Sequence, residues 1–449
     1  MSRPKRDGLA WEDGVLDLEP RWAREPSVDA INKVCRRKLG VDCDVSFYSK
    51  GAFNKLYLVT SPNGDKSLMR VSLPVHPGQK TRGEVATLRW LKRWTDVPVP
   101  SVLAFDDSGD NEIGFEWILM KLMPGKPAYG QWRRMSMAQK EALTESIAGL
   151  YAQILNHNPE RTPFRGIGAL GIDRTTDQTQ EKEQQGKEQQ KPHQQKADLH
   201  VAPGEIVSLQ FFWGEHYDYD VSRGPFRSSH DWLHSFLQVV VLEYESQLRE
   251  AEDDKERQDV EEASAVPRKL LALLPKIFPT IQHPAEQTFL WHNDLSLQNM
   301  LVDDGGKITA VLDWECVSAV PRWAATETPK FLSGKAREEV PDRDGYADEQ
   351  EEFRREGDDD KLDNEGKEEL YWIHLLEYEK TRLQRVYAAR IEALCPGWAA
   401  EVEDGALRRD FLEALHRCLD GFHLRGVARW VDAIEAGEFR RLEDVLQMP

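Results

Sequence analysis

The sequence predicts an α+β chain in two unequal lobes: a small antiparallel sheet carrying one helix, then a larger and mainly helical part. Three observations predict it. Between residues 45 and 120, five short apolar runs of strand length are separated by turn signals, and one helix-spaced segment follows the third run. From residue 136 onward, apolar residues recur at helical spacing. Within that second part, residues 290–315 concentrate histidine, aspartate and asparagine around two short apolar runs.

The elements follow in chain order. Residues 1–40 carry Trp11, Trp22 and a helix at about 28–38, which reads as an N-terminal extension packed outside the first lobe. The first lobe, 41–123, opens with a strand at 45–48 and the loop Ser49-Lys50-Gly51-Ala52-Phe53-Asn54. Strands at 56–60 and 67–71 flank the turn Pro62-Asn63-Gly64-Asp65. A helix at about 82–94 shows Val85, Leu88 and Leu91 on one face, and strands at 102–105 and 115–120 lead to Pro124-Gly125.

The second lobe, 124–449, starts with a helix at 136–156, its apolar face set by Leu143, Ile147, Leu150, Tyr151 and Ile154. Helices are expected at 230–248 and at 370–394, the latter stopped by Pro396-Gly397. Two shorter ones, 406–422 and 427–435, close the chain. Two insertions interrupt this lobe. The first, about 174–200, holds eight glutamines between 178 and 195 and has too little apolar surface to offset the cost of ordering, so disorder is expected. The second, about 336–369, is acidic: residues 337–369 contain 16 acidic and 6 basic side chains.

Composition narrows the partners. The formal charge of −19 argues against nucleic acid, whose phosphates demand a basic face, although more than half of that charge lies in the acidic stretch. With 40% hydrophobic residues and 14 tryptophans, a large core is available. Cys35, Cys43, Cys316, Cys395 and Cys418 are odd in number and form no C-x-x-C pair, which suits a reducing compartment. The basic start Arg3-Pro4-Lys5-Arg6 lacks the apolar core of a signal peptide, and no apolar run approaches a membrane span. The expectation is a soluble cytoplasmic protein with no membrane contact and no obligate protein partner evident.

The chemistry concentrates in Leu290-Trp291-His292-Asn293-Asp294-Leu295-Ser296-Leu297-Gln298-Asn299-Met300-Leu301-Val302-Asp303. His292, Asp294 and Asn299 stand in an H-x-D-x-x-x-x-N spacing. Residues 299–303 and 307–312 read as two strands joined by Asp304-Gly305-Gly306, a hairpin with Asn299 at one base and Asp313 at the other. That hairpin brings two hard oxygen donors together, as Mg²⁺ requires, and the order of groups is what phosphoryl transfer from a nucleotide needs. The bland alternative makes Asp294 and Asp313 turn and strand-end residues and His292 a core histidine.

These residues, with Asp313-Trp314-Glu315 after the second strand, resemble the catalytic and metal-binding loops of the aminoglycoside phosphotransferase family, in its broad fungal branch. The resemblance covers about 45–325 with clear motifs and 370–440 only in helical character. It implies a protein-kinase-like fold, ATP and Mg²⁺ as cofactors, and Asp294 as catalytic base. It further implies Asn299 and Asp313 as Mg²⁺ ligands and His292 as a brace of the catalytic loop. The expected reaction moves the γ-phosphate to a hydroxyl of a small-molecule acceptor. The absence of an A-P-E motif after Asp313 argues against a protein kinase.

A nucleotide site needs four further features. Backbone N–H groups over the phosphates can come only from Ser49–Asn54, with its single Gly51, which alone is more often a plain hairpin glycine. The cation of the third strand is Arg70, where protein kinases place lysine; arginine supplies the same charge through a larger fork. Otherwise Arg70 is a surface strand residue. Glu84 is its expected partner, or else a helix-start glutamate favoured by the macrodipole. By similarity to the family, Ile118–Gly125 is the hinge, where the Lys121 carbonyl and the Met123 amide would meet adenine. A reading of another class is a nucleotide-binding pseudokinase or scaffold without transfer activity, motivated by Arg70 and the thin glycine loop.

Overall fold

A computed structural model describes residues 3–14, 18–156, 163–172, 201–280, 283–349, 364–421 and 423–446. The glutamine-rich stretch and residues 350–363 of the acidic one lie outside the described residues. The chain opens with a hairpin of β1 (Leu9–Asp13) and β2 (Leu18–Trp22), then α1 (Val28–Leu39). Ser27 caps α1, its hydroxyl accepting from the Ala30 amide, and Gly40 ends it at φ 70°.

The small lobe is a five-stranded antiparallel sheet built from β3 (Asp44–Lys50), β4 (Asn54–Thr60), β5 (Lys66–Ser72), β6 (Val102–Asp106) and β7 (Glu116–Lys121). Its spatial order is β3-β4-β5-β7-β6. β4 buries alternate residues, Lys55, Tyr57 and Val59, as the period of a half-covered strand demands. Central β5 buries nearly every side chain from Met69 on, so a charge there must be paired. The α2 helix (Gln79–Trp94) supplies Val85, which packs with Ile118 and Met120 of β7.

A strand pair joins the lobes. Lys126–Pro127 pairs with Met300–Val302, the first strand of the hairpin whose second is Ile308–Val311. Gly125, at φ 112°, sits so close that an added Cβ would meet the Thr309 hydroxyl at 2.3 Å and the Val302 carbonyl at 2.9 Å. Thr309 Oγ1 donates to the Pro124 carbonyl at 2.6 Å. The segment leaving the small lobe is therefore fastened to the hairpin that carries Asn299.

The large lobe packs helix Met137–Leu155 against Glu369–Leu394, and Ser229–Glu250 against Asp254–Ile277, with Ala406–Asp420 and Leu424–Glu435 beside the second pair. Ser136 and Gln139 form a reciprocal capping box at the first of these. The mixed architecture of a small antiparallel sheet and a helix-rich second lobe matches the expected fold class. Two features were not expected. Helix Asp254–Ile277 runs through Pro267 and Pro275, held by buried Val266, Leu270, Leu273 and Leu274. A second five-stranded sheet orders Val201–Pro203, Gly168–Ile172, Ser318–Pro321, Gln287–Trp291 and Phe164–Arg165. It places Trp291, just before His292, at the sheet's end. Among the described residues no helix is long and apolar enough to cross a membrane.

Candidate active site

His292 follows directly from the strand Gln287–Trp291 and is 1% exposed. Its Nε2 lies 2.9 Å from the Leu312 carbonyl, and its Nδ1 accepts from the Asp294 amide at 3.3 Å. Accepting at Nδ1 leaves Nε2 as the donor, so the ring is neutral and in one tautomer. Burial holds its pKa below the usual histidine range. The ring meets Trp314 edge to face at 4.7 Å. His292 thus ties the loop to the far base of the hairpin.

Asp294 is half-exposed, its side chain 47% accessible. Asn299 Nδ2 donates to the Asp294 carbonyl at 2.8 Å and reaches its Oδ2 at 3.3 Å. With the nitrogen so engaged, Asn299 Oδ1 is the atom left for a cation. The Leu312 amide donates to the Asn299 carbonyl at 2.8 Å, which sets Asn299 beside the residue preceding Asp313. Asp313 turns the chain at φ 61°, a left-handed conformation that aspartate tolerates better than most residues. Its side chain is exposed yet has protein on most sides. That crowding, with the nearby charge of Glu315, pushes its carboxyl up to about 7 against the pull of Arg70. Two oxygen donors from one hairpin fit Mg²⁺, which takes one or two protein ligands and fills the rest with phosphate and water.

Across the cleft, Arg70 on β5 is 6% exposed and pairs through Nη1 with Glu84 of α2. The helix starts at Gln79, so Glu84 lies in its second turn and the macrodipole does not account for it. The pairing expected of Arg70 and Glu84 is what the structure contains. Arg70 has a second partner that the sequence reading missed: its Nη2 pairs with Glu315, two residues after Asp313. Lys80, 2% exposed, also reaches Glu315 at 2.5 Å and Asn54 Oδ1 at 3.0 Å. Asn54 Nδ2 lies 3.0 Å from each Glu315 oxygen. Burial alone would raise the Glu315 carboxyl, but the charges of Arg70 and Lys80 override it and hold it at about 2. Lys80 had a readable signal, since it precedes Glu84 by four residues and so shares its helix face.

Ser49 and Gly51 lie in the β3–β4 hairpin, where the Gly51 amide donates to the Asn54 carbonyl at 2.9 Å. Asn54, at the base of that hairpin, is its link to Glu315. A Cβ added at Gly51 would meet nothing within 4 Å, so no neighbouring protein atom requires glycine there. Lys121 ends β7, and its amide donates to the Ser101 carbonyl at 3.0 Å. Met123 follows two residues later on the fastened segment. Met120, before them, is 6% exposed and packs in the wall formed with Val85 and Ile118.

Beside the loop lies a recess of about 160 Å³ lined by Tyr129, Trp132, Leu297, Trp372, Ile373 and Leu376 together with charged residues. Leu297 lies between Asp294 and Asn299, and its carbonyl accepts from the Tyr129 amide at 3.0 Å. Glu379 at the recess is satisfied internally by Lys140 at 2.6 Å and the Trp132 indole at 2.9 Å.

The small lobe leads through a fastened segment to the hairpin flanked by Asn299 and Asp313, with Asp294 on the loop before it. The model of the phosphotransferase enzyme family (APH) matches residues 44–208 and 218–324, and the chain belongs to that family. A subtelomeric hrmA-associated cluster protein of Aspergillus fumigatus is 25% identical over 327 residues, 64% of this chain and 60% of that protein. Clavilactone A biosynthesis cluster protein Y of Ampulloclitocybe clavipes is 24% identical over 257 residues, 57% of this chain and 54% of that protein. The chain thus spans less than two thirds of the length of these relatives. Among solved structures, aminoglycoside phosphotransferase APH(4)-Ia is 13% identical at a TM-score of 0.43, covering 94% of this chain and 99% of that one. The macrolide 2'-phosphotransferase MphH of Brachybacterium faecium is 14% identical at 0.37, covering 94% and 99%.

Proposed function

We propose that the protein transfers the γ-phosphate of ATP to a hydroxyl of a small molecule. The observation that carries the proposal is the bridge across the cleft: Arg70 of the small lobe pairs with Glu84 and with Glu315, two residues beyond Asp313. A cation that Glu84 holds beside the metal-side loop can pass from the Glu315 carboxylate to a polyphosphate over a transfer site.

In this reading the Asp294 carboxylate accepts the hydrogen bond of the acceptor hydroxyl and takes its proton as the new bond to phosphorus forms. Asn299 fixes that carboxylate through its amide, and His292 holds the loop without exchanging protons. Asn299 Oδ1 and the Asp313 carboxylate would hold Mg²⁺, which when bound supplies charge neutralisation for the phosphate oxygens. The Lys121 carbonyl and Met123 amide would meet the base, and the Ser49–Gly51 turn would cover the phosphates. The acceptor would enter by the aromatic recess beside Leu297, whose Trp372, Ile373 and Tyr129 suit a flat, largely apolar body. The cytoplasm is the compartment this chemistry expects, since it holds Mg²⁺ and ATP.

A second reading, nucleotide binding without transfer, has one observation in its favour. Both terminal nitrogens of Arg70 are already taken by carboxylates. Incubation with γ-labelled ATP, Mg²⁺ and fractionated small-molecule extract separates the two. Label in an organic phosphate ester supports transfer, and nucleotide binding with no labelled product supports the second reading.

A further inference from the structure

Lys80 occupies an expensive position. It stands in the first turn of α2, where the helix dipole opposes a positive charge, and only 2% of it reaches solvent. A buried ammonium needs an anion, and the one it has is Glu315, delivered from the other lobe. The same carboxylate collects the Arg70 guanidinium and the Asn54 amide. Three donors of different kinds, from β4, β5 and the start of α2, therefore converge on one pair of oxygens. They do so at the base of the β3–β4 turn, on the side of the sheet facing Asp313. Arg70 Nε, also buried, has no partner in the protein.

Arg70 is also answered by Glu84, so two cations meet two carboxylates within the cluster. Of these carboxylates Glu315 is the one delivered from the other lobe, and its place is the one an incoming phosphate can take. We infer that Lys80, Arg70 and Asn54 form a polyphosphate cradle in which the Glu315 carboxylate stands in for a phosphate group until nucleotide displaces it. Lys80 is then a phosphate-binding residue in its own right, and the cation work assigned to Arg70 alone is shared. The inference rests on the proposed nucleotide-dependent reaction.

Calorimetric titration of the full chain with inorganic tripolyphosphate, and separately with ATP plus Mg²⁺, tests it in four proteins: wild type, Lys80→Met, Glu315→Gln and the double variant. Removing Glu315 releases the cradle, so E315Q is expected to bind tripolyphosphate on the order of tenfold more tightly than wild type. K80M is expected to bind both ligands at least tenfold more weakly. The double variant, which loses one charge of each sign and keeps its balance, decides the matter. If Lys80 touches phosphate, the double variant binds more weakly than E315Q by about the factor that separates K80M from wild type. If Lys80 only neutralises Glu315, the double variant binds as tightly as E315Q, and the inference is overturned. Thermal midpoints of the same four proteins identify any loss that comes from unfolding. A wild type that binds neither ligand removes the proposed function and this inference together. A wild type that binds ATP while K80M binds it equally well removes the inference alone.

Discussion

Lys330 places its ammonium 2.6 Å from Oδ1 of Asp294, the oxygen that Asn299 leaves free. The contact is built by a short helical turn, Lys330–Leu332, whose Phe331 amide donates to the Leu295 carbonyl at 2.8 Å. An acceptor hydroxyl approaching Asp294 must compete with that ammonium. Both side chains are substantially exposed, 61% and 47%, so the pair contributes little to stability, at most about 1 kcal/mol. Lys330→Ala is expected to leave the thermal midpoint nearly unchanged and to lower transfer less than tenfold. A loss of transfer as large as that from altering Asp294 itself would show that Lys330 is indispensable to the chemistry.

In the proposed reaction Asp313 carries the metal-dependent part of nucleotide binding. A ligand that binds only the folded state at a hundredfold excess over its Kd stabilises it by about 2.7 kcal/mol. Mg²⁺ with ATP should therefore raise the thermal midpoint of wild type above that with ATP and a chelator. In Asp313→Ala the two midpoints should coincide while the unliganded protein still melts cooperatively. A metal-dependent rise that survives in Asp313→Ala would move the metal to other residues.

Glu243 gives a pH test remote from the cleft. Its carboxylate lies 3.2 Å from His216 Nε2 and accepts from Tyr219 at 2.9 Å, and the hydrogen bond with His216 is the main reason its pKa falls to about 2. A depressed carboxyl stabilises the fold above its unfolded pKa of about 4.5, and that stability is lost as pH falls toward 2. Glu243→Gln should cost on the order of 1–3 kcal/mol at pH 7 in urea unfolding. The gap between the two proteins should narrow between pH 4.5 and pH 2. A gap that does not change with pH would assign the cost to packing instead.

The sequence revealed those parts whose signals are local. The strand runs Leu56–Thr60 and Ser67–Val71, the apolar helix face from Leu143 to Ile154 and the His292/Asp294/Asn299 spacing each lie within about a dozen residues, and each coincides with an element or a cluster in the fold. What escaped depends on partners distant in the chain. Gly168–Ile172 becomes a strand because Ser318–Pro321 lies beside it, some 150 residues on. Helix Asp254–Ile277 contains Pro267 and Pro275, which local propensity disfavours, and burial of Val266 and Leu270 maintains it. Glu315 read as a family triplet residue, and only folding sets it against Arg70, 245 positions earlier. The pairing of Arg70 with Glu84 was legible because both belong to one strand–helix unit.

The most direct test is the effect of Asp294→Asn on transfer of the γ-phosphate, measured as label entering the acceptor fraction, alongside nucleotide affinity measured by calorimetry. The substitution keeps the size of the side chain and removes its capacity to take a proton. If Asp294 orients and deprotonates the acceptor, nucleotide affinity stays near wild type and transfer falls by about 10²–10⁴-fold. Transfer that continues at the wild-type rate in Asp294→Asn would contradict the account.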